Sequence, residues 1–175
     1  MRFPAMRGFT LIEMMISVAV LIVLVAIVAP SFNHFFDKYR VKRAADTFSS
    51  FLINSKSEAI KRNQTVRTVI TGSGATWCAG MTVNDTCDCS STGTSACKID
   101  GADRVISSAS FKGVELNGPA TAYAFEFKSQ RGTLTDNETV ELESAAGLEL
   151  NVVVSRVGRI KLCSPSGSIS GYPSC

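Results

Sequence analysis

The chain has one histidine, His34, among 175 residues. A metal site built from several imidazoles is therefore excluded, and no sequence-evident nucleophile lies beside His34, which reads as a surface residue. No phosphate-binding glycine loop or nucleophile elbow occurs. The cysteines from Cys78 to Cys97 follow C-x8-C-x-C-x7-C, without the C-x2–4-C spacing of structural zinc sites. The carboxylates after Glu115 fall mostly on outward strand positions, where solvation explains them. The chain thus reads as a non-enzyme with no cofactor and no metal. Internal repeats and flexible linkers are also missing. So is a strong charge of one sign: 18 Lys and Arg face 15 Asp and Glu, a net of +3. Losing Arg2 and Arg7 would lower that +3 by 2, to +1. Any anion-binding surface must then be a local patch.

What the sequence does have is a long apolar run near its start. Two basic residues, Arg2 and Arg7, precede Gly8, and Phe9 opens a run that lasts to Ala29 with one charge, Glu13. A membrane-spanning helix needs about 20 apolar residues, which this run supplies. A secretory signal peptide carries its small-residue cleavage site after the apolar core; here the small residue comes before it. Cleavage after Gly8 would remove the basic leader and leave the helix on the chain. A carboxylate inside a membrane helix costs about 2.5–3.5 kcal/mol on insertion scales, so Glu13 marks a function. It lies one turn from the N-terminus that cleavage would create, at the favourable end of the helix dipole. Where such helices pack side by side, the free amine of Phe9 can neutralise Glu13 of a neighbour.

Gly8-Phe9-Thr10-Leu11-Ile12-Glu13 resembles the class III signal of type IV prepilins and type II secretion pseudopilins. The resemblance implies cleavage after Gly8 by a prepilin peptidase, N-methylation of Phe9, and polymerisation through the apolar helix with Glu13 pairing to a Phe9 amine. It implies other pilins and minor pilins as partners, together with the inner-membrane pilus assembly machinery. It further implies a single-pass inner-membrane precursor, then a place in the periplasm and the extracellular fibre. Pro30 sits where such helices often carry a proline, and it is expected to kink or loosen the helix.

The domain plan follows: residues 1–8 a leader, 9–29 a transmembrane and polymerisation helix, 30–63 its amphipathic extension, 64–175 a β-rich globular domain. In the extension, Phe32, Phe35, Phe36, Tyr39, Phe48, Phe51, Leu52, Ser55 and Ala59 recur mostly at three- and four-residue steps, giving a face that can lie on a sheet. Between Asp37 and Arg67, Lys38, Arg40, Lys42, Arg43, Lys56, Lys61, Arg62 and Arg67 outnumber Asp37, Asp46 and Glu58, a local net of +5. This reads as a solvated face with lipid head-group contacts, with DNA or a protein partner as the alternative. Beyond Asn63 the period becomes two. Thr65–Thr71, Ala122–Phe127, Val140–Leu142, Leu148–Ser155 and Ile160–Leu162 are strand candidates, with turns at Gly132 and Gly158. Residues 72–103, rich in Gly, Ser, Thr and Asp, read as a long loop region. The expected fold is α+β, one long helix packed on an antiparallel sheet.

Ser57–Gln64 (SEAIKRNQ), Trp77 followed by Gly80, and Val154–Cys163 (VSRVGRIKLC) resemble the FimT/FimU/GspH group of minor pilins and pseudopilins, leaning toward its type IV pilus members. The six cysteines lie outside the cytosol in this topology, where disulfides form. Cys163 and Cys175 flank a short tail and look like partners; closing such a loop contributes about 3 kcal/mol in the chain-entropy account. Cys78, Cys87, Cys89 and Cys97 cross-pair in a pattern the sequence leaves open, a Cys87–Cys89 bridge being strained.

Arg159 and Lys161 share one strand face, roughly 6.6 Å apart, with Arg156 across the Gly158 turn and the Cys163–Cys175 tail expected beside them. A compact cationic cluster can grip phosphates without reading sequence. DNA-binding FimT-type pilins carry G-R-x-R here. This chain has Gly158-Arg159-Ile160-Lys161, where lysine keeps the charge and lacks the bidentate fork. The expected function is a minor pilin near the tip of a type IV pilus. The alternatives are a DNA-binding pilus subunit for natural transformation, or a type II secretion pseudopilin.

Overall fold

A long helix, α1, runs from Leu11 to Arg62. It belongs to a computed structural model that describes residues 8–91, 96–118, 125–167 and 169–175, the side chains of 28–33 excepted. The chain divides into two units, Met1–Phe36 and Asp37–Cys175.

In the first unit the helix side chains from Leu11 to Ile27 are exposed. Among the described residues no helix is long and apolar enough to cross a membrane. The side chains of 28–33 lie outside that set, so the membrane-spanning expectation for 9–29 rests on the sequence. Pro30, where a kink is expected, lies within α1 with its side chain outside the described set.

In the second unit, apolar residues three and four apart turn one helix face inward. Val41, Ala44, Ala45, Phe48, Leu52 and Ala59 are fully buried, and Ser55 joins them with its hydroxyl 2.8 Å from that of Thr68. The inward face begins at Val41. Tyr39, expected on the sheet-facing side, is about half exposed (57%); Phe35 and Phe36, at the end of the first unit, are 51% and 53% exposed, and Phe32 lies outside the described side chains. The small Ala44 and Ala45 let sheet residues approach the helix closely, and Phe48 fills the centre against Phe125 and Trp77, each ring centroid 6.3 Å away.

Two antiparallel sheets complete the core. The first contains β1 (Val66–Ser73), β2 (Thr76–Thr82), β5 (Val105–Ser107) and β7 (Phe125–Phe127), in the order β5-β2-β1-β7. The second contains β6 (Val114–Asn117), β8 (Glu138–Ser144), β9 (Glu149–Val154) and β10 (Ile160–Cys163), in the order β10-β9-β8-β6. A small hairpin pairs β3 (Lys98–Ile99) with β4 (Ala102–Asp103). The sheets are joined where Gly74, in the β1–β2 turn, exchanges two backbone hydrogen bonds of 2.9 Å with Leu116 on β6. In β8 and β9 the alternate residues Val140, Leu142, Leu150, Val152 and Val154 are fully buried against the core, which is the α+β arrangement expected.

The loop expected over 72–103 is corrected. It contains the end of β1 and the whole of β2, β3 and β4. Six consecutive residues of β2, Trp77–Thr82, are buried. With both faces covered, the strand lacks the polar-apolar alternation that marks half-exposed strands. Cys78 and Cys89 are bonded, as are Cys87 and Cys97, with Cα separations of 5.8 and 5.0 Å. Gly80 lies beneath these bridges: a Cβ there would collide with Cys97 and come within 3.2 Å of the Cys89 Cβ. Part of the Ala122–Phe127 candidate, residues 122–124, lies outside the described residues.

Candidate functional site

At the N-terminal end, Gly8 and Phe9 precede the helix and are exposed, Phe9 by 77%. A Cβ on Gly8 would meet nothing within 4 Å, so the fold itself does not require glycine there. Thr10 caps the helix, its Oγ1 accepting the Glu13 backbone N–H at 3.3 Å. Thr10-x-x-Glu13 is the capping-box spacing, a signal that explains why the helix begins at Leu11 and that attention to the charge of Glu13 alone overlooks. Glu13 is exposed in the first turn, where a carboxylate complements the unpaired helical N–H groups.

The C-terminal basic residues occupy a hairpin. Ser155–Gly158 form a turn closed by the Gly158 N–H donating to the Ser155 carbonyl at 2.7 Å, and Gly158 has φ +74°. A left-handed glycine closing a three-residue loop is a regular hairpin solution. Arg156 is held by its backbone, whose N–H donates to Asn137 Oδ1 at 2.9 Å and whose carbonyl accepts from Leu134 at 2.9 Å. Ile160 and Leu162 pack against the core; Arg159 and Lys161, alternating with them, are exposed, as is the Arg156 side chain. None of these three cations has an ion pair among the described residues. Val157 stands 71% exposed at the tip.

Helix α1 anchors this turn. Lys56 Nζ donates to the Gly158 carbonyl at 2.8 Å. A Cβ on Gly158 would lie 3.1 Å from that nitrogen and collide with the Gly132 carbonyl. Lys56 is a neighbour of the basic turn that no local sequence signal identifies, because it lies on a distant element.

The tail does not lie beside the basic turn, contrary to the sequence expectation. Cys163 and Cys175 are bonded, with Cα atoms 5.0 Å apart, at the other end of β10. The enclosed loop docks on α1. Lys38 Nζ donates to Ser170 Oγ at 2.7 Å and Lys42 Nζ to the Ser170 carbonyl at 3.2 Å. Lys42 also stands 5.2 Å over the Tyr172 ring. Burial, with the Asp46 charge adding to it, pushes the Tyr172 hydroxyl above its ordinary range, and the hydroxyl donates toward Asp46 Oδ1 at 3.5 Å. Asp46 and Lys56 are ten residues apart on one helix, roughly 15 Å at 1.5 Å per residue. That span separates tail from turn.

Much of the positive excess over 37–67 is neutralised. Arg62 donates to Glu58 at 2.6 Å and to Asp100, Arg67 reaches Asp85 at 3.3 Å and Glu126 at 3.6 Å, and Arg40 holds Asp37 at 3.0 Å. Hydrogen bonds from Arg62 hold the Asp100 and Glu58 carboxyls below their ordinary values. No group of three or more His, Cys, Asp or Glu residues among those described has the geometry to hold a metal ion.

The family model for the type II transport protein GspH matches residues 44–158, and the prokaryotic N-terminal methylation motif matches residues 4–29. The chain belongs to the GspH family. The type IV minor pilin FimU of Pseudomonas aeruginosa has the same fold, with a TM-score of 0.51 and 17% identity over 71% of this chain and 94% of that one. No curated protein matches the chain. Within this GspH-family chain, the matched region ends at Gly158, so Arg159, Lys161 and the disulfide-closed tail lie beyond it.

Proposed function

We propose that this chain is a minor subunit of a type IV pilus, processed after Gly8, N-methylated on Phe9, and anchored by the 9–29 helix in the inner membrane until it enters the fibre near its tip. The observation that carries this reading is the union of two modules on one helix: a methylation motif over residues 4–29 and a GspH domain over 44–158, with α1 continuous from Leu11 to Arg62. The apolar run supplies the assembly surface, and Glu13 supplies a fixed negative charge one turn from Phe9. The partners are other pilins, a prepilin peptidase and the inner-membrane assembly machinery. The test is to follow the tagged full chain into sheared surface fibres. Its presence there after peptidase processing supports the pilus reading. Its absence, with processing intact and protein export impaired by deletion, favours a type II secretion pseudopilin.

A second reading, DNA capture for uptake, is favoured by Arg156, Arg159 and Lys161 standing exposed and unpaired among the described residues. Non-specific phosphate contacts give dissociation constants of about 10⁻⁴–10⁻⁶ M that weaken with salt. The full chain in detergent should shift duplex DNA at low salt, and Arg159→Gln with Lys161→Gln should flatten the salt dependence by about one log unit per lost contact. No shift at low salt removes this reading and leaves the pilus reading intact.

A further inference from the structure

Four cations, Lys38, Arg40, Lys42 and Arg43, follow the apolar run, and the helix sorts them onto two sides. Lys38 and Lys42 are occupied by the C-terminal tail. Arg40 and Arg43 line a separate groove of about 340 Å³, which Ala109, Ser110, Phe111 and Lys112 complete. Its floor is fixed, because Phe111 is buried and its ring stacks on Trp77 with centroids 5.9 Å apart. Gly113, with φ +77°, carries the loop close beside Arg40; a Cβ there would lie 3.8 Å from Arg40 Nη1.

The charge in this groove is only partly compensated. Asp37 pairs with Arg40 at 3.0 Å, but Arg43 and Lys112 have no ion pair among the described residues. Three cations against one carboxylate leave an excess of two positive charges facing one concavity. Elsewhere on the helix, Arg62 meets two carboxylates.

We propose that the Arg40–Arg43–Lys112 groove is a phosphate-binding site. Arg40 and Arg43 line the groove from the helix, and Ser110 and Lys112 line it from the facing loop. Donor-bearing residues on two elements suit a tetrahedral anion with oxygens in three dimensions better than a planar carboxylate, and arginine matches phosphate in bidentate fashion. The phosphate is that of a soluble ion or ester, or of an anionic phospholipid head group.

The test is acetylation of Lys112 in the full chain, quantified by mass spectrometry in zwitterionic detergent. Inorganic phosphate should protect Lys112 with a midpoint of about 1–10 mM, while chloride at equal ionic strength should not. Arg43→Gln should raise that midpoint by about tenfold or more; the Arg43 side chain is exposed, so its loss leaves the core intact. Arg159→Gln with Lys161→Gln should leave it unchanged. In vesicles of phosphatidylcholine with phosphatidylglycerol, protection without added phosphate identifies the head group as the source. Protection by soluble phosphate alone identifies a soluble ligand. Equal protection by chloride, or a midpoint unmoved by Arg43→Gln, overturns the proposal. So does protection by duplex DNA where phosphate gives none, which makes the groove a nucleic-acid surface.

Discussion

Lys56 and Gly158, 102 residues apart, are joined by a 2.8 Å hydrogen bond from the lysine ammonium to the glycine carbonyl. The bond fixes the cationic turn to the helix. Gly158→Ala should destabilise the domain by roughly 2–4 kcal/mol, because the residue is left-handed and its Cβ would strike the Gly132 carbonyl. Lys56→Met should cost about 1 kcal/mol through the unpaired carbonyl. Thermal denaturation of the full chain in detergent measures both, and equal melting of Gly158→Ala and wild type would contradict the packing described.

Gly80→Ala should prevent correct oxidation. The added methyl occupies the space of Cys97 and crowds Cys89, so thiol titration should find free cysteines among Cys78, Cys87, Cys89 and Cys97 while Cys163–Cys175 still forms. Each missing bridge should cost about 2–4 kcal/mol. Complete oxidation to the wild-type pairs would show that β2 yields more than its burial indicates.

Gly8→Val should block N-terminal processing without altering the fold, since a Cβ at that position meets nothing within 4 Å. Mass analysis of the N-terminus checks the first part and circular dichroism the second. A mature N-terminus at Phe9 in the variant would separate Gly8 from peptidase recognition.

Glu13→Ala should leave membrane insertion unchanged or easier, because it removes a charge costing about 2.5–3.5 kcal/mol in apolar surroundings. Recovery in sheared fibres should nevertheless fall several-fold as the Phe9 amine loses its partner. Undiminished recovery would leave Glu13 with only its place in the helix's first turn.

The Arg62 cluster makes stability pH-dependent with a definite sign. Its bonds hold the Glu58 and Asp100 carboxyls below their ordinary 4.5 and 3.8. A depressed folded-state value stabilises above the unfolded one and is lost as pH falls through the folded one. The stability difference between wild type and Arg62→Gln should therefore be full near pH 7 and shrink below about pH 4.5. Asp100 is exposed and Glu58 partly so, so salt should reduce the difference. A difference that grows on acidification would reverse the assignment.

Legibility in the sequence followed periodicity. The helix face from Phe48 to Ala59 and strands β8 to β10 were readable because one side meets the core and the other water. Strand β2 was hidden because burial on both faces removes alternation, and the small Gly80 that admits the disulfides resembles a loop residue. Phe35, Phe36 and Tyr39 share the spacing of the buried face yet are about half exposed, because three- and four-residue spacing says which residues share a side, not how far each is covered. At the candidate sites, Gly158 and Arg159 stood out through turn chemistry and alternation. Lys56 and Lys112 did not, because their partners lie on elements that only tertiary folding brings near.

The two lysine attachments have a mechanical meaning. Ser170 is held by Lys38 and Lys42, and Gly158 by Lys56, so the helix is clamped to the β-domain at two stations roughly 21–27 Å apart along its axis. A pull along that axis loads both stations in parallel, in shear. The domain can slide along its own stem only by releasing both at once, whereas a single attachment would let it pivot and peel.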